Sequence, residues 1–133
     1  MKSTAERNKI LDLRYGGQAY VPAASVFVAL CTTEPTAAGG GNEANYSGYS
    51  RIEIANSLAN FPAAANGVKT NANPVTFGTA TTVGGTIVGV KIFDALVAGN
   101  MLDYYVIPVD ERPIVTVGKQ LSIAAGQMIL TET

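Results

Sequence analysis

The spacing of hydrophobic positions changes once along the chain, near residue 20. Before that point, Ile10 and Leu13 fall on one face of a helical pattern. Ser3 and Glu6 have the spacing of a capping box, and Gly16-Gly17 can supply a left-handed C-cap. The pattern therefore predicts one short amphipathic helix over residues 4–15.

After residue 20, apolar residues come in short β-branched runs or alternate with polar ones, as strands require. The clearest alternation places Ser50, Ile52 and Ile54 on one face. Gly89 interrupts a run and predicts either a bulge or the close approach of another segment. The predicted strands are 25–32, 49–55, 73–80, 85–95, 100–109, 113–117, 120–125 and 127–133.

Turn signals such as Asn66-Gly67 and Gly84-Gly85 separate these strands, and the sequence contains no internal repeat. About eight short strands predict a mainly β fold, a single-domain β-sandwich or jelly-roll-like structure with one short N-terminal α-helix. We expect an N-terminal helix or arm over 1–20 and a β-sandwich over 21–133, within one domain overall. The segments 33–48 and 60–73 are predicted to be long connections.

Composition indicates that this domain works inside an assembly. The chain has 133 residues, of which 47% are hydrophobic and only 14% charged, against about a quarter in typical soluble domains. It has no run of eighteen apolar residues, so we expect no membrane-spanning helix. The low charge predicts a subunit whose surface is covered by other protein.

The charge is small but unevenly placed. The formal net charge of −1 gives no reason to expect general attraction to nucleic acid or to anionic membranes. Residues 1–14 hold four basic and two acidic side chains, whereas the rest of the chain has an acidic excess. A basic N-terminal element on an acidic body can dock on an acidic partner, although chance explains the imbalance equally well. No apolar segment follows the first residues, so no signal peptide is expected.

The inventory of reactive side chains argues against catalysis. The chain has no histidine, which removes the Ser-His-Asp and Cys-His nucleophile systems within one chain. Cys31 is the only cysteine and lies in an apolar run, where a small buried hydrophobe is the favoured interpretation. A carboxylate pair stays formally open. We predict no enzyme activity, no cofactor and no metal.

Gly39-Gly40-Gly41 invites comparison with phosphate-binding loops. Those loops need a helix directly after the glycines, and the following segment shows no helical pattern. A calcium loop is only weakly matched, and a flexible connector is predicted instead. Tyr46 and Tyr49 follow the glycines and either contact a sugar or protein partner or pack inside the sandwich.

An ordered series of motifs carries a family resemblance over nearly the whole chain. The motifs include "NKILDLRYGGQAY", "NFPAAANGVKTN" and "IFDALVAGNML", and together they fall at residues 8–20, 26–41, 48–51, 60–71, 92–102 and 122–126. In this arrangement the chain resembles a family of small tailed-phage virion proteins commonly labelled tail fibre proteins. Cys31 and Glu34 depart from the family pattern.

The resemblance implies a non-enzymatic virion structural protein made in the bacterial host cytoplasm. Because the chain has no shaft segment, we expect a capsid decoration (cement) protein, a homotrimer that binds the major capsid protein on the outer surface of the head. The alternative is a small tail fibre or baseplate component, with carbohydrate binding through Tyr46 and Tyr49. Nucleic acid, membrane and small-molecule partners are not expected. The predicted interaction residues are Lys2, Arg7, Lys9, Arg14, Tyr15, Tyr20, Glu34, Pro35, Tyr46, Tyr49 and Arg51.

Overall fold

The computed structural model describes residues 1–132, and its first element is the predicted helix. Helix α1 spans Thr4–Gly16, and the Ser3 hydroxyl accepts a hydrogen bond from the Glu6 N–H at 3.1 Å. Gly17 ends the helix with φ +65°. The second predicted hydrogen bond of the capping box, from the Ser3 N–H to the Glu6 side chain, is wrong, because the Ser3 N–H donates to the Leu102 carbonyl at 2.9 Å.

Within residues 1–132, the strands form one four-stranded sheet and three two-stranded ribbons, all antiparallel. The main sheet has the order β2-β1-β6-β7, and the ribbons are β3–β10, β4–β9 and β5–β8. The strands are β1 (Ser25–Cys31), β2 (Ile52–Ala55), β3 (Val68–Lys69), β4 (Val75–Thr76), β5 (Gly85–Thr86), β6 (Gly89–Phe93), β7 (Met101–Val106), β8 (Ile114–Val115), β9 (Ser122–Ile123) and β10 (Leu130–Thr131). A 3-10 turn covers Val109–Glu111.

The mainly β fold with one short N-terminal helix is confirmed, whereas the jelly-roll connectivity stays a prediction. Several strands are shorter than predicted, and the run 85–95 divides into β5 and β6. Strand β3 lies inside the predicted connection 60–73 and was missed. It follows a turn in which Asn66 and Gly67 both have positive φ, as a tight two-residue hairpin requires.

The hydrophobic core lies between one face of the main sheet and the ribbons. Val28 and Ile92 are cross-strand partners on that face, and both are buried against residues from the ribbons such as Phe77 and Val115. Side chains alternate across a sheet, so Lys91 and Phe93 project from the opposite face. That opposite face is where the glycine-rich segment folds back onto the sheet.

Gly89 is needed because two other segments approach its backbone. A Cβ at this position would lie 2.5 Å from the Pro35 ring and 2.9 Å from the Tyr105 carbonyl oxygen. The prediction of a close approach is therefore confirmed. The register irregularity of this strand occurs instead between Ile92 and Phe93.

Candidate functional site

The glycine-rich loop is anchored by a buried lysine. Lys91 is only 4% exposed, and its Nζ donates to the carbonyl oxygens of Gly41 at 2.7 Å and Gly39 at 3.2 Å. Gly41 has φ +97°, and a Cβ there would lie 2.8 Å from the Pro35 Cα. The loop connects β1 to β2 as predicted and is tied back onto the sheet, whereas its predicted flexibility stays a prediction. Two of its carbonyls serve the protein's own lysine.

Arg51 holds the C-terminal end of the same loop through Glu43. Its Nη2 lies 2.8 Å from Glu43 Oε1, its Nε also donates to Glu43, and its Nη1 donates to the carbonyls of Ala95 and Ala98. The guanidinium lies 3.7 Å from the centroid of the Phe93 ring, in a cation–π contact. We call Glu43, Tyr49, Arg51 and Lys91 the clasp, because they tie the loop and the 94–100 hairpin to one face of the sheet.

The electrostatics of the clasp favour a fixed structure over reactivity. Burial raises the pKa of Glu43, but hydrogen bonds from Arg51 and Tyr49 outweigh burial and bring that pKa below its ordinary value. Burial and the hydrogen bond to Glu43 raise the pKa of Tyr49. Burial also raises the pKa of Cys31 to about 11, despite the opposing effect of Lys91. The Cys31 thiol is therefore protonated and unreactive at neutral pH.

Residues Met1–Ser3 extend the main sheet along β7. The Tyr104 N–H donates to the Met1 carbonyl at 2.8 Å, and Lys2 Nζ lies 3.4 Å from Asp103 Oδ1. Burial raises the pKa of Asp103, although Lys2 partly offsets it. The predicted basic N-terminal element thus uses Lys2 within the fold.

Helix α1 buries a carboxylate and exposes apolar side chains, which reverses the usual arrangement. Glu6 is 7% exposed and accepts a hydrogen bond from the Tyr20 hydroxyl. Burial and this hydrogen bond raise the pKa of Tyr20. On the outer side, Leu11 is 53% exposed and Tyr15 is 79% exposed. The helix therefore exposes large apolar side chains among charged ones such as Arg7, Lys9 and Arg14.

An apolar groove lies between the sheet and the C-terminal segment. It has a volume of about 420 Å³, and its walls include Val90, Ile92, Ile107, Met128 and Leu130. Met1, Tyr105 and Ile129 also line it, and each of these three side chains is more than half exposed. We call this feature the groove.

Two of the predicted interaction residues, Tyr46 and Tyr49, are respectively buried and half-buried. Tyr46 is 4% exposed, and no residue among 1–132 provides a hydrogen-bond partner for its hydroxyl. Tyr49 stacks on Phe77 and donates its hydroxyl to Glu43 at 2.6 Å. The ring of Tyr46 is buried in the core and the ring of Tyr49 packs against the core, so the pair does not form an open stacking surface, and carbohydrate binding stays a prediction. Pro35 is also buried, against Gly89.

Of the other predicted interaction residues, Lys2, Tyr20 and Arg51 are engaged within the fold, and the rest lie at the surface. Arg7 and Lys9 are exposed. Glu34 pairs with Arg112 at 2.8 Å, and Arg14 pairs with Glu132 at 2.9 Å. Their role in binding a partner stays a prediction.

Sequence reasoning missed Lys91 and the groove. A lysine within the apolar segment "VGVKIF" was the available signal, because alternation places it beside Phe93 on the same face. The groove had no comparable signal, since its walls come from strands far apart in sequence.

Within the described part of the chain, no three or more Cys, Asp or Glu side chains are placed to hold a metal ion together. The single α-helix found in residues 1–132 is neither long enough nor apolar enough to cross a membrane.

These features define a small β-rich domain whose charged side chains tie its own loops together, while several large apolar side chains are exposed. The chain belongs to the family described as podophage GP4 fiber I protein gp80, whose model matches residues 1–131. The resemblance to phage virion proteins of the tail fibre group is thereby confirmed, and the chain is a virion structural component. No curated protein matches the chain.

Proposed function

We propose that the chain is a non-catalytic fibre subunit of a podophage, which joins the virion as a compact domain rather than as part of a long shaft. The observation that carries this proposal is the family match over residues 1–131. The architecture supports it, because short ribbons packed on one sheet make a knob-like body.

The exposed surface supports attachment to other protein. Fourteen large hydrophobic side chains are exposed in residues 1–132, including Val97 at 78% and Val117 at 65%. The contacting partner on the particle is then another virion protein, bound through apolar contacts with few charges, as in stable assemblies.

The charged groups support a structural role rather than catalysis. Arg51 and Lys91 are held by internal partners, and Glu43 is engaged by Arg51 and Tyr49. These side chains contribute to the fold and are not presented to a substrate.

Capsid decoration is the second candidate. The observation that favours it is the absence of any coiled coil or elongated shaft among residues 1–132, since a compact domain suits a position on a lattice. In that case the partner is the major capsid protein and the sites are its three-fold positions.

Localisation in the particle tests both candidates. A short peptide tag inserted at the exposed Asn66-Gly67 turn would be labelled with gold in purified virions of the phage that encodes the chain, with untagged virions as the control. We expect label at the tail. Label distributed over the head would replace the fibre proposal with capsid decoration, and purified virions that lack the protein would overturn both.

A further inference from the structure

The main sheet has two edges, and within residues 1–132 only one of them is covered. Residues 1–3 cover the edge along β7, where the Tyr104 N–H donates to the Met1 carbonyl at 2.8 Å. Strand β2 forms the other edge, because its only strand partner in the described part of the chain is β1. An uncovered edge presents backbone donors and acceptors with which another strand can pair.

The direction of the backbone groups of β2 follows from its register with β1. The Asn56 N–H donates to the Ala24 carbonyl at 2.9 Å, just beyond the end of the paired strands. Hydrogen-bonded pairs alternate along an antiparallel ladder, so Ile54 also bonds to β1. The backbone groups of Glu53 and Ala55 therefore point away from β1, towards the uncovered edge.

Most of these outward groups are unpaired. The Ala55 carbonyl accepts a hydrogen bond from Asn60 Nδ2 at 2.9 Å, which closes one end of the edge. The Glu53 N–H, the Glu53 carbonyl and the Ala55 N–H have no hydrogen-bond partner among residues 1–132. Both residues are exposed, so these three groups are open to another chain.

A trough of about 200 Å³ lies beside this edge. Ile52, Ile54 and Val75 give it an apolar part that packs on the core. The trough is lined by all four residues of β2 and by Asn60, Asn71, Asn73, Pro74 and Val75. Small-molecule sites usually occupy roughly 300–1,000 Å³, so the trough suits a few side chains of an extended segment better than a separate ligand.

We propose that the edge of β2 and the trough bind an extended segment of another virion protein, which adds a strand to the main sheet. Strand addition takes its affinity from main-chain hydrogen bonds and its specificity from pockets for alternate side chains, and β2 offers both. This inference rests on the proposed function, since it takes attachment to another virion protein as given. It holds for a fibre or a capsid location.

The two faces of β2 define the chemistry of the added segment. Its side chains alternate as those of β2 do, so those on the face of Ile52 and Ile54 enter the trough and are apolar. Those on the other face lie beside Glu53, which is exposed and has no ion-pair partner among residues 1–132, so lysine or arginine is favoured there. The same carboxylate opposes pairing with an acidic strand, including β2 of a second copy.

Amide hydrogen exchange, measured by NMR on the purified chain, tests the contact. The probe is a synthetic peptide of about seven residues in which valine alternates with lysine. At about 1 mM peptide, exchange of the Glu53 and Ala55 N–H groups should slow by at least about twofold, whereas the Ile54 N–H is already bonded to β1 and should change little. Unchanged exchange at Glu53 and Ala55 would overturn the proposal.

Two control peptides separate strand addition from other contacts. Glutamate in place of lysine should abolish the slowing, because it repels Glu53. Methylation of the peptide nitrogens that face β2 should abolish it too, because it removes the main-chain donors. Equal slowing by the methylated peptide would overturn the proposal. Slow exchange at Glu53 and Ala55 in the free chain that increases with protein concentration would assign the edge to a second copy and would also overturn it.

A proline substitution tests the same edge in the particle. Ala55→Pro removes the outward N–H and leaves the hydrogen bonds between β1 and β2 in place. Introduced into the phage, it should lower the amount of the chain in purified virions several-fold. Ala55→Val keeps the N–H and is the matched control, and circular dichroism checks that both variants fold. Wild-type incorporation of Ala55→Pro would overturn the proposal. The peptide measurement needs no virion, so its failure is separate from a failure of the fibre or capsid assignment.

Discussion

Replacing Arg51 by alanine removes the centre of the clasp. The Arg51 side chain is 8% exposed and contacts Glu43, two carbonyl groups and the Phe93 ring. Its loss leaves Glu43 without its cationic partner while that side chain is still only 29% exposed. Breaking a largely buried ion pair by removing one partner costs about 3–5 kcal/mol, and the partial exposure of Glu43 places our expectation at about 3 kcal/mol.

Urea unfolding followed by far-UV circular dichroism measures this loss. With a slope of about 2 kcal/mol/M, the midpoint should fall by about 1.5 M at neutral pH. Arg51→Lys is the matched control, because it keeps the charge but loses the paired contact with Glu43, and it should fall between the wild type and the alanine variant. A loss below about 1 kcal/mol for Arg51→Ala would refute the idea that the clasp holds the loop.

Three further predictions concern the hydroxyls of Tyr46 and Tyr49, the pH dependence of Glu43 and the close approach at Gly89. Tyr46→Phe removes a buried hydroxyl that lacks a partner within residues 1–132, and in thermal melts it should be neutral or stabilise the protein by about 1 kcal/mol. Tyr49→Phe loses a hydrogen bond to Glu43 and should destabilise the protein by about 1–2 kcal/mol. The pKa of Glu43 is lowered in the folded protein, so its stabilising effect is present above its unfolded pKa and is lost as the pH falls through its folded pKa. The difference in stability between wild type and Glu43→Gln should therefore narrow on acidification below about pH 4.3, and a constant difference in urea titrations would contradict this. Gly89→Ala should lower stability by about 2 kcal/mol because its Cβ would overlap a proline ring. The control Gly118→Ala meets no described atom within 4 Å and should cost only about 1 kcal/mol from its positive φ, so equal midpoints in urea would contradict the close-approach explanation.

Features with local causes could be predicted from the sequence. Helix α1 was predicted to within one residue of its C-terminal end, because Ser3 and Gly17 act on the backbone within a few residues of themselves. Strand β1 was predicted for a similar reason, since a short apolar run is recognisable without knowledge of its partners.

Features that depend on distant contacts could not be predicted. The glycine loop is held against the sheet by Lys91, fifty residues away in sequence from Gly41. The inward orientation of Tyr46 and Tyr49 is also set by tertiary packing, because the irregular segment before them gives no strand register to fix their faces. The groove combines walls from β6, β7 and the C-terminal segment, so only the assembled fold reveals it.

The anchoring of Gly39 and Gly41 by Lys91 has a consequence for resistance to proteases. An exposed, glycine-rich segment is ordinarily a preferred cleavage site, because local opening presents the backbone to the protease at little cost. Here a local opening must first withdraw a buried ammonium group from two carbonyl oxygens. Cleavage at the loop then carries the cost of breaking both hydrogen bonds, so we expect this loop to be cut more slowly than a glycine-rich segment without such an anchor.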